Sequence, residues 1–348
     1  MLVYKPSFYD EFKCIASSCS DSCCIGWEID IDRKTLDFYK KQTGSFGERL
    51  KNNISLEPNS HFIVDANDRC PFLNQNNLCD IILTLGEEHI CEICDQHPRF
   101  HSWYGSYKES GVGLCCEEAV RLLLQWDMKF VSQVTQEKDD DEEYDSDLFD
   151  ALMKVRQKSF EILTDNAINF GEKLRLILSM TQDVQDCIDF GDIESIYDCC
   201  DDISDGELET DMDRKSAVSS IVELLNEQEK INSQWEGKAA VIKEKLFSDG
   251  DLFSNMSLES QHAYNALACY LTFRYFLKAV RDEDIISKMA LVCLFCVSLR
   301  TLEKAQEDSL AENIRLLSKQ FEYSLFNIEL IEKACNDGEL FCALNAIL

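Results

Sequence analysis

The residues in this chain best suited to chemistry are thiols. Of 18 cysteines in 348 residues, ten fall between Cys14 and Cys116. They run Cys14-x4-Cys19-x3-Cys23-Cys24, then Cys70-Pro71-Phe72-Leu73, Cys79, Cys91-x2-Cys94 and Cys115-Cys116. Thiolates bind soft or borderline metals: zinc, iron–sulfur clusters, copper(I). Within this stretch only Cys91-x2-Cys94 has zinc-knuckle spacing. Adjacent cysteines do not readily chelate one zinc, but they can serve two irons of a cluster, or one can ligate while the other packs. The candidate ligands are Cys14, Cys19, Cys23, Cys24, Cys70, Cys79, Cys91, Cys94 and one of Cys115 and Cys116. One zinc or one four-iron cluster uses about four. Either there are two centres or about half of these thiols are structural. His97 and His101, close to Cys94, are weaker candidates. Cys269, Cys293, Cys296, Cys335 and Cys342 lie on apolar helical stretches and read as core, where a free thiol packs as a small hydrophobe. Cys199-Cys200 reads as structural.

The elements that position these thiols are short. Residues 1–13 read as extended. Trp27 to Ile31 alternates apolar and acidic residues, a short-strand pattern. Asp32 is placed to cap a helix over 33–41 with Leu36 and Tyr39 inward. Gly44, Gly47 and residues 57–60 mark loops, and 61–64 reads as a strand. Cys70–Leu73, the Asn74–Asn77 turn and Leu78–Ile82 read as a hairpin with a cysteine on each arm. Glu87 to Cys94 gives one or two helical turns, stopped at His97-Pro98. Residues 104–113 read as loop and 117–130 as a helix.

Residues 136–147 are a charge run without apolar period, read as a solvated linker. No proline follows, and apolar residues recur at helical spacing through about eight helices. The expected fold is mainly α. A cysteine-rich, loop-rich N-terminal metal module with short strands (1–135) is followed by an acidic linker (136–147) and a multi-helix domain (148–348).

Net charge is −31. Residues 1–130 hold 13 Lys/Arg against 20 Asp/Glu, and the remainder 21 against 45. A second acidic stretch, 183–211, has 12 Asp/Glu and no Lys or Arg, and is expected on the surface as helix and loop. Such a surface repels nucleic-acid phosphates, so no nucleic-acid partner is expected. The longest apolar-looking run, Met289 to Leu299, is 11 residues, short of the roughly 20 that cross a bilayer. No signal peptide is visible. A cytoplasmic, non-membrane protein is expected, and its thiols are expected to bind metal rather than to form a disulfide framework. No phosphate-binding glycine loop, dinucleotide fingerprint or helical zinc-protease motif occurs.

The cysteine order carries a resemblance. Phe12-x-Cys14, Cys19-x-Asp21-x-Cys23-Cys24-x-Gly26-Trp27, Cys70-Pro71-Phe72-Leu73, Leu78-Cys79-x-Ile81, Leu85-Gly86-Glu87, Cys91-x2-Cys94, Pro98-Arg99 and Cys116-x-Glu118-Ala119 resemble the flagellin lysine N-methylase family (FliB). The Cys-Pro-Phe-Leu pattern is also similar to a wider, YkgJ-like group of zinc- or iron-chelating domains. Two later stretches, Tyr270 to Phe276 and Phe321-Glu322-Tyr323-Ser324-x2-Asn327, look like the family's helical signatures. The family tends to have Ser-Cys-Pro-Glu where this chain has Cys115-Cys116-Glu117-Glu118; that departure leaves the ligand open between Cys115 and Cys116, and Cys116 is the one expected.

The resemblance implies methyl transfer from S-adenosylmethionine to lysines of flagellin, with a cysteine-bound iron–sulfur or other metal centre, zinc being the alternative. The attacking lysine must be neutral, which at pH 7 costs roughly 4.6 kcal/mol. Candidate acid–base helpers beside the motif are Asp21, Tyr104 and Glu118. Trp27 or Trp103 is a candidate wall for the sulfonium. Arg99 is a candidate for holding a carboxylate of the cofactor. A non-catalytic zinc- or iron-binding protein, or a zinc-stabilised interaction module, is the competing reading.

Overall fold

The computed structural model describes residues 1–140, 142–200 and 212–348. The chain opens in strand β1 (Leu2–Pro6), which lies inside a four-stranded sheet. The other members are β4 (Arg99–Tyr104), β5 (Tyr107–Val112) and β6 (Phe130–Val134), in the order β4-β5-β1-β6. β1 runs parallel to β5, with Val3 opposite Lys108, and antiparallel to β6, with Val3 opposite Gln133. Everything between β1 and β4 is an excursion from this sheet. It contains α1 (Arg33–Lys40), α2 (Gly44–Asn52), the two-residue strands β2 (Ile54–Ser55) and β3 (His61–Phe62), α3 (Asp80–Leu85) and α4 (Glu92–Gln96).

Helix α5 (Glu117–Leu124) links β5 to β6. The remainder is helical: α6 (Ser146–Thr164), α7 (Phe170–Asp189), α8 (Arg214–Glu227), α9 (Trp235–Ser248), α10 (Leu258–Tyr275), α11 (Ala279–Asp282), α12 (Ile285–Lys304), α13 (Leu310–Glu322), α14 (Leu325–Asn336) and α15 (Glu339–Ile347). The fold is thus mainly α with a multi-helix body.

Two hydrophobic cores result. The large one is built by the helices around α12, which packs on α7, α9, α10, α13, α14 and α15. Phe8, Phe12, Tyr104, Val112, Leu114 and the inner face of α5 belong to it as well, so the sheet is part of the helical body. The small core holds Ile29, Ile31, Leu36, Tyr39, Leu50, Phe62, Phe72 and Ile81, with Cys70 and Cys91 among them. The apolar run at 289–299 extends into a 20-residue helix, Ile285–Lys304. That helix is long and apolar enough to cross a membrane, but 94% of its apolar window is buried in the fold.

Several local expectations hold. Asp32 caps α1, accepting from the Thr35 amide at 2.9 Å, and Leu36 and Tyr39 are buried. The chain turns helical at 87–89 and 92–96 and leaves the helix at His97.

Others are corrected. Residues 27–31 form no strand, only an isolated bridge from Asp30 to His61, and the 61–64 strand is limited to β3. Gly44 and Gly47 lie in α2, not in loops. Gly47 is needed there because a Cβ would sit 2.4 Å from the Gln42 carbonyl oxygen. The 70–82 hairpin is reduced to one bridge, Leu73 to Cys79, because the second arm enters α3 at Asp80.

The expected loop 104–113 is largely β5, paired with β4 across Gly105 at φ +56. Its polar sequence is buried because each polar group has a partner. Glu109 forms an ion pair with Arg156 of α6 at 2.6 Å and accepts from the Tyr107 hydroxyl, and Ser110 Oγ meets His101 Nδ1 at 2.9 Å. At Gly111 a Cβ would be 2.4 Å from the Phe100 ring. The expected helix 117–130 ends at Leu124, and β6 begins at Phe130. The body has ten α-helices among the described residues rather than about eight. Residues 136–147 are anchored in places: the Asp140 amide donates to the Gly105 carbonyl, and Glu142 pairs with Arg281 at 2.9 Å. In the acidic stretch, 183–189 is in α7 and 194–200 is a 3-10 turn, while 201–211 lies outside the described residues.

Candidate metal centre and its supports

The first cysteines sit on a loop that only backbone bonds and a few side chains define. The Cys70 amide donates to the Cys24 carbonyl at 2.9 Å, and the Gly26 amide to the Asp68 carbonyl at 3.0 Å, with Gly26 at φ +96. Trp27 donates from Nε1 to the Cys23 carbonyl and stacks on His97 with centroids 5.6 Å apart. The turn bearing Cys70 and Cys79 is fixed by Arg49 of α2. Its guanidinium reaches the Pro71 carbonyl at 2.7 Å and Asp80 at 2.7 Å. Tyr39 of α1 brings its hydroxyl to the His89 carbonyl and to within 3.9 Å of Cys91 Sγ.

The thiols gather in two neighbourhoods, and the electrostatic influence of one on another defines them. Cys24, Cys70, Cys79, Cys91 and Cys94 act on one another beside the small core. Cys23 is influenced by Cys14 and Cys116, and Cys116 by Cys19. The adjacent pair Cys23-Cys24 stands at the junction. A hydrogen bond between the two thiols pushes Cys23 up, burial adding to it, and holds Cys24 down to about 7 against burial. Burial pushes Cys70 up to about 12 and Cys116 up to about 11. Hydrogen bonding to Cys91, with burial, raises Cys94. The ten cysteines between Cys14 and Cys116 are free thiols. In kind and number these donors fit a thiophilic metal or an iron–sulfur cluster. Among the described residues no three His, Cys, Asp or Glu side chains converge into a closed cage.

The Cys115-Cys116 step separates two roles. Cys116 is the N-cap of α5 and turns toward the first loop's thiols. Cys115 is buried against Tyr323, its sulfur 2.7 Å from the hydroxyl. Tyr323 belongs to the second helical signature, and the first signature arrives at the same place. Tyr270 exchanges hydrogen bonds with the Val112 amide and carbonyl. Arg274 lies over the Phe100 ring at 4.6 Å and pairs with Glu322 at 3.2 Å. Glu322 also accepts from Tyr275 and Ser318. The two C-terminal signatures therefore meet each other at the end of β5 and the turn after it.

Sequence reasoning missed the groups that fasten the thiol loop to the body. Glu117 accepts from the Ser20 amide at 2.7 Å and the Ser20 hydroxyl at 2.6 Å. Arg315 of α13 reaches Asp21 at 2.9 Å and the Ser20 hydroxyl at 3.1 Å, and Lys319 also pairs with Asp21. These partners are almost three hundred residues apart, and no local pattern could have joined them. Although burial opposes it, Lys319 and Arg315 hold the Asp21 carboxyl below the usual range.

The candidate helpers occupy different places. Asp21 lies in the loop but is ion-paired. Glu118 is held by Arg121 on both oxygens at 2.7 Å. Tyr104 is 2% exposed in the large core, against Phe149 and Tyr144, and burial raises its hydroxyl. Trp27 lies among the thiols. Trp103 is 39% exposed on β4, under the Lys108 ammonium at 5.3 Å. Arg99 donates to the Asp95 carbonyl at 3.2 Å and covers Phe12. His97 is half-buried. Burial, together with the Lys319 charge, lowers its pKa, so its imidazole is neutral at pH 7.

Against known proteins, the chain is 32% identical over 129 residues to the flagellar biosynthetic protein FliU of Salmonella muenchen, covering 35% of this chain and 76% of that protein. Over 129 residues it is 32% identical to a lysine-N-methylase of Salmonella choleraesuis and 30% identical to one of Salmonella typhimurium. It spans about a third of each lysine-N-methylase, 32% of its length. No family model matches, and no solved structure matches. On its relationship to FliU, the chain belongs to the family of that protein and the lysine-N-methylases (FliB).

Proposed function

We propose that the protein is an S-adenosylmethionine-dependent lysine N-methyltransferase acting on flagellin, with a cysteine-bound iron–sulfur or other metal centre. The observation that carries this reading is the kinship to lysine-N-methylases in a chain whose N-terminal thiols gather in two adjoining neighbourhoods. Cys24, Cys70, Cys79, Cys91 and Cys94 would hold one centre, and Cys14, Cys19, Cys23 and Cys116 are the remaining donors. A bound metal or cluster would hold these thiols as thiolates and supply a cross-link through the loop.

The chain's own residues must do the rest. The target lysine has to lose its proton and hold its nitrogen about 3 Å from the methyl carbon, in line with the departing sulfur. Trp27 offers an aromatic face to a sulfonium, and the neutral ring of His97 lies against it. The acidic surface suits a lysine-bearing protein better than a nucleic acid.

The test uses protein purified without oxygen. Iron, sulfide and zinc are measured first, then S-adenosylmethionine binding by calorimetry, then transfer of labelled methyl to flagellin. Stoichiometric metal, cofactor binding and labelled lysines are expected. Metal without any S-adenosylmethionine binding would overturn the reading.

One observation favours a second reading, a metal-bearing interaction protein without methyl transfer. Asp21, Glu118 and Tyr104 are each engaged internally, as structural side chains are. Unfolding by a chelator, together with failure to bind the cofactor, is what that reading expects.

A further inference from the structure

A different pair of thiols lies at the end of α7, away from the N-terminal set. Cys187 is in the last turn of α7, and Cys199 is in the 3-10 turn Glu194–Cys200. The chain reverses between them. Gly191 adopts φ +70, its amide donates to the Ile188 carbonyl, and the Asp192 amide donates to the Cys187 carbonyl, each at 2.9 Å. Ile196, fully buried in the large core, anchors the returning turn. The two sulfurs are left 3.8 Å apart, both on partly buried side chains. A disulfide needs them to close to a bond length of about 2.05 Å.

We infer that Cys187 and Cys199 are a thiol-modification site that closes reversibly into a disulfide, with small cationic disulfides as the preferred oxidant. Cys199 donates from Sγ to the Ser195 carbonyl at 3.5 Å, which keeps its proton in place and leaves Cys187 as the attacking sulfur. Cys187 gives its proton to solvent, and its thiolate attacks one sulfur of the small disulfide. That S–S bond breaks, and the departing thiolate takes up a proton. Cys199 then loses its proton and attacks the Cys187 sulfur of the mixed disulfide, releasing the second small thiol. Two protein thiols are oxidised, and one small disulfide is reduced to two thiols.

Charge selects the oxidant. The described segment around the pair, residues 183–200, carries six Asp/Glu and no Lys or Arg. Its field repels anionic glutathione disulfide and attracts cationic cystamine.

The experiment treats the full chain at low salt with each disulfide separately, alkylates the remaining thiols and maps the peptides. No Lys or Arg lies between Arg175 and Arg214, so trypsin leaves both cysteines in one peptide, and cleavage at acidic residues is needed to part them. A Cys187–Cys199 cross-link is expected, forming several-fold faster with cystamine, the advantage shrinking as salt rises. A gain of a few degrees in melting temperature, reversed by dithiothreitol, accompanies it. Cys187→Ser and Cys199→Ser lack the cross-link and the gain, while Cys342→Ser keeps both. The inference fails if Cys199 pairs with Cys200 instead, if glutathione disulfide reacts as fast as cystamine, or if both thiols stay reduced while the N-terminal ones oxidise.

Discussion

The two cores of this molecule are built on opposite terms. The large one rests on helices of up to 20 residues, with α12 buried almost from end to end. The small one rests on helices of five to nine residues and two-residue strands, and two of its buried side chains are thiols. Short elements bury little apolar area per residue, and small cores usually need a cross-link or a metal to stay folded. The thiol module has other fixings as well. Arg49, Tyr39 and Asp32 tie it internally, and Asp21 and Glu117 tie it to the body. The body stands on packing, while the module stands on named polar contacts and, on the proposed reading, on metal.

This contrast can be broken at either end. The largest effect is expected in the body. Arg156 and Glu109 are 2% and 4% exposed, so Arg156→Ala leaves an uncompensated buried carboxylate. A loss of about 3–5 kcal/mol is expected in urea unfolding, with metal content per folded chain unchanged. Restoration by Arg156→Met with Glu109→Leu would place the cost in the orphaned charge.

Cysteine replacement should separate the regions next. Cys19→Ala, Cys23→Ala and Cys91→Ala are each expected to lose metal and soluble yield, while Cys293→Ala, buried in α12, keeps both. If Cys293→Ala strips the metal and Cys23→Ala does not, the ligand assignment is wrong.

Asp32 sharpens the comparison at smaller scale. One carboxylate caps two helices of the module, accepting from the Thr35 amide at the start of α1 and from the Glu92 amide at the start of α4. Asp32→Ala is expected to cost about 1 kcal/mol. Although burial opposes it, these amides hold the carboxyl below its ordinary value. Its contribution is therefore complete above the unfolded carboxylate pKa and is lost as pH falls through the lower folded value. Stability curves of the wild type and Asp32→Ala should converge in acid, and parallel curves would refute the cap.

The smallest global effect belongs to Asp21→Ala. Asp21 and Lys319 are substantially exposed, so less than about 1 kcal/mol is expected. Hydrogen exchange and proteolysis at 14–27 should nevertheless rise, while exchange in α12 stays as it was.

What the sequence disclosed follows the same division. The Asp32 cap was legible because the signal and its effect are three residues apart. The Cys-rich order was legible because residue type and spacing need no folding to be read, and the relationship to FliU agrees with the resemblance it carried. Strand β5 was not, since Lys-Glu-Ser-Gly has no alternating pattern and its burial depends on Arg156, 47 positions later. Helix α2 was hidden by two glycines, one of which is there to let the Gln42 carbonyl approach. Arg315 and Lys319, which set the environment of the first loop, carry no local signal of that role, since only folding brings them to Asp21.

The place of β1 bears on how the chain assembles in time. Leu2–Pro6 finds its partners only when residues 107–109 and 130–134 are available. The thiol-rich excursion from Lys13 to His97 is finished before either. As the chain leaves the ribosome, the eight cysteines of the excursion are therefore present, with Cys116 still to come, while the seam that will hold them to the body is still open. On the proposed reading, loading of a metal at these thiols precedes closure of the sheet, and the sheet then shuts behind it.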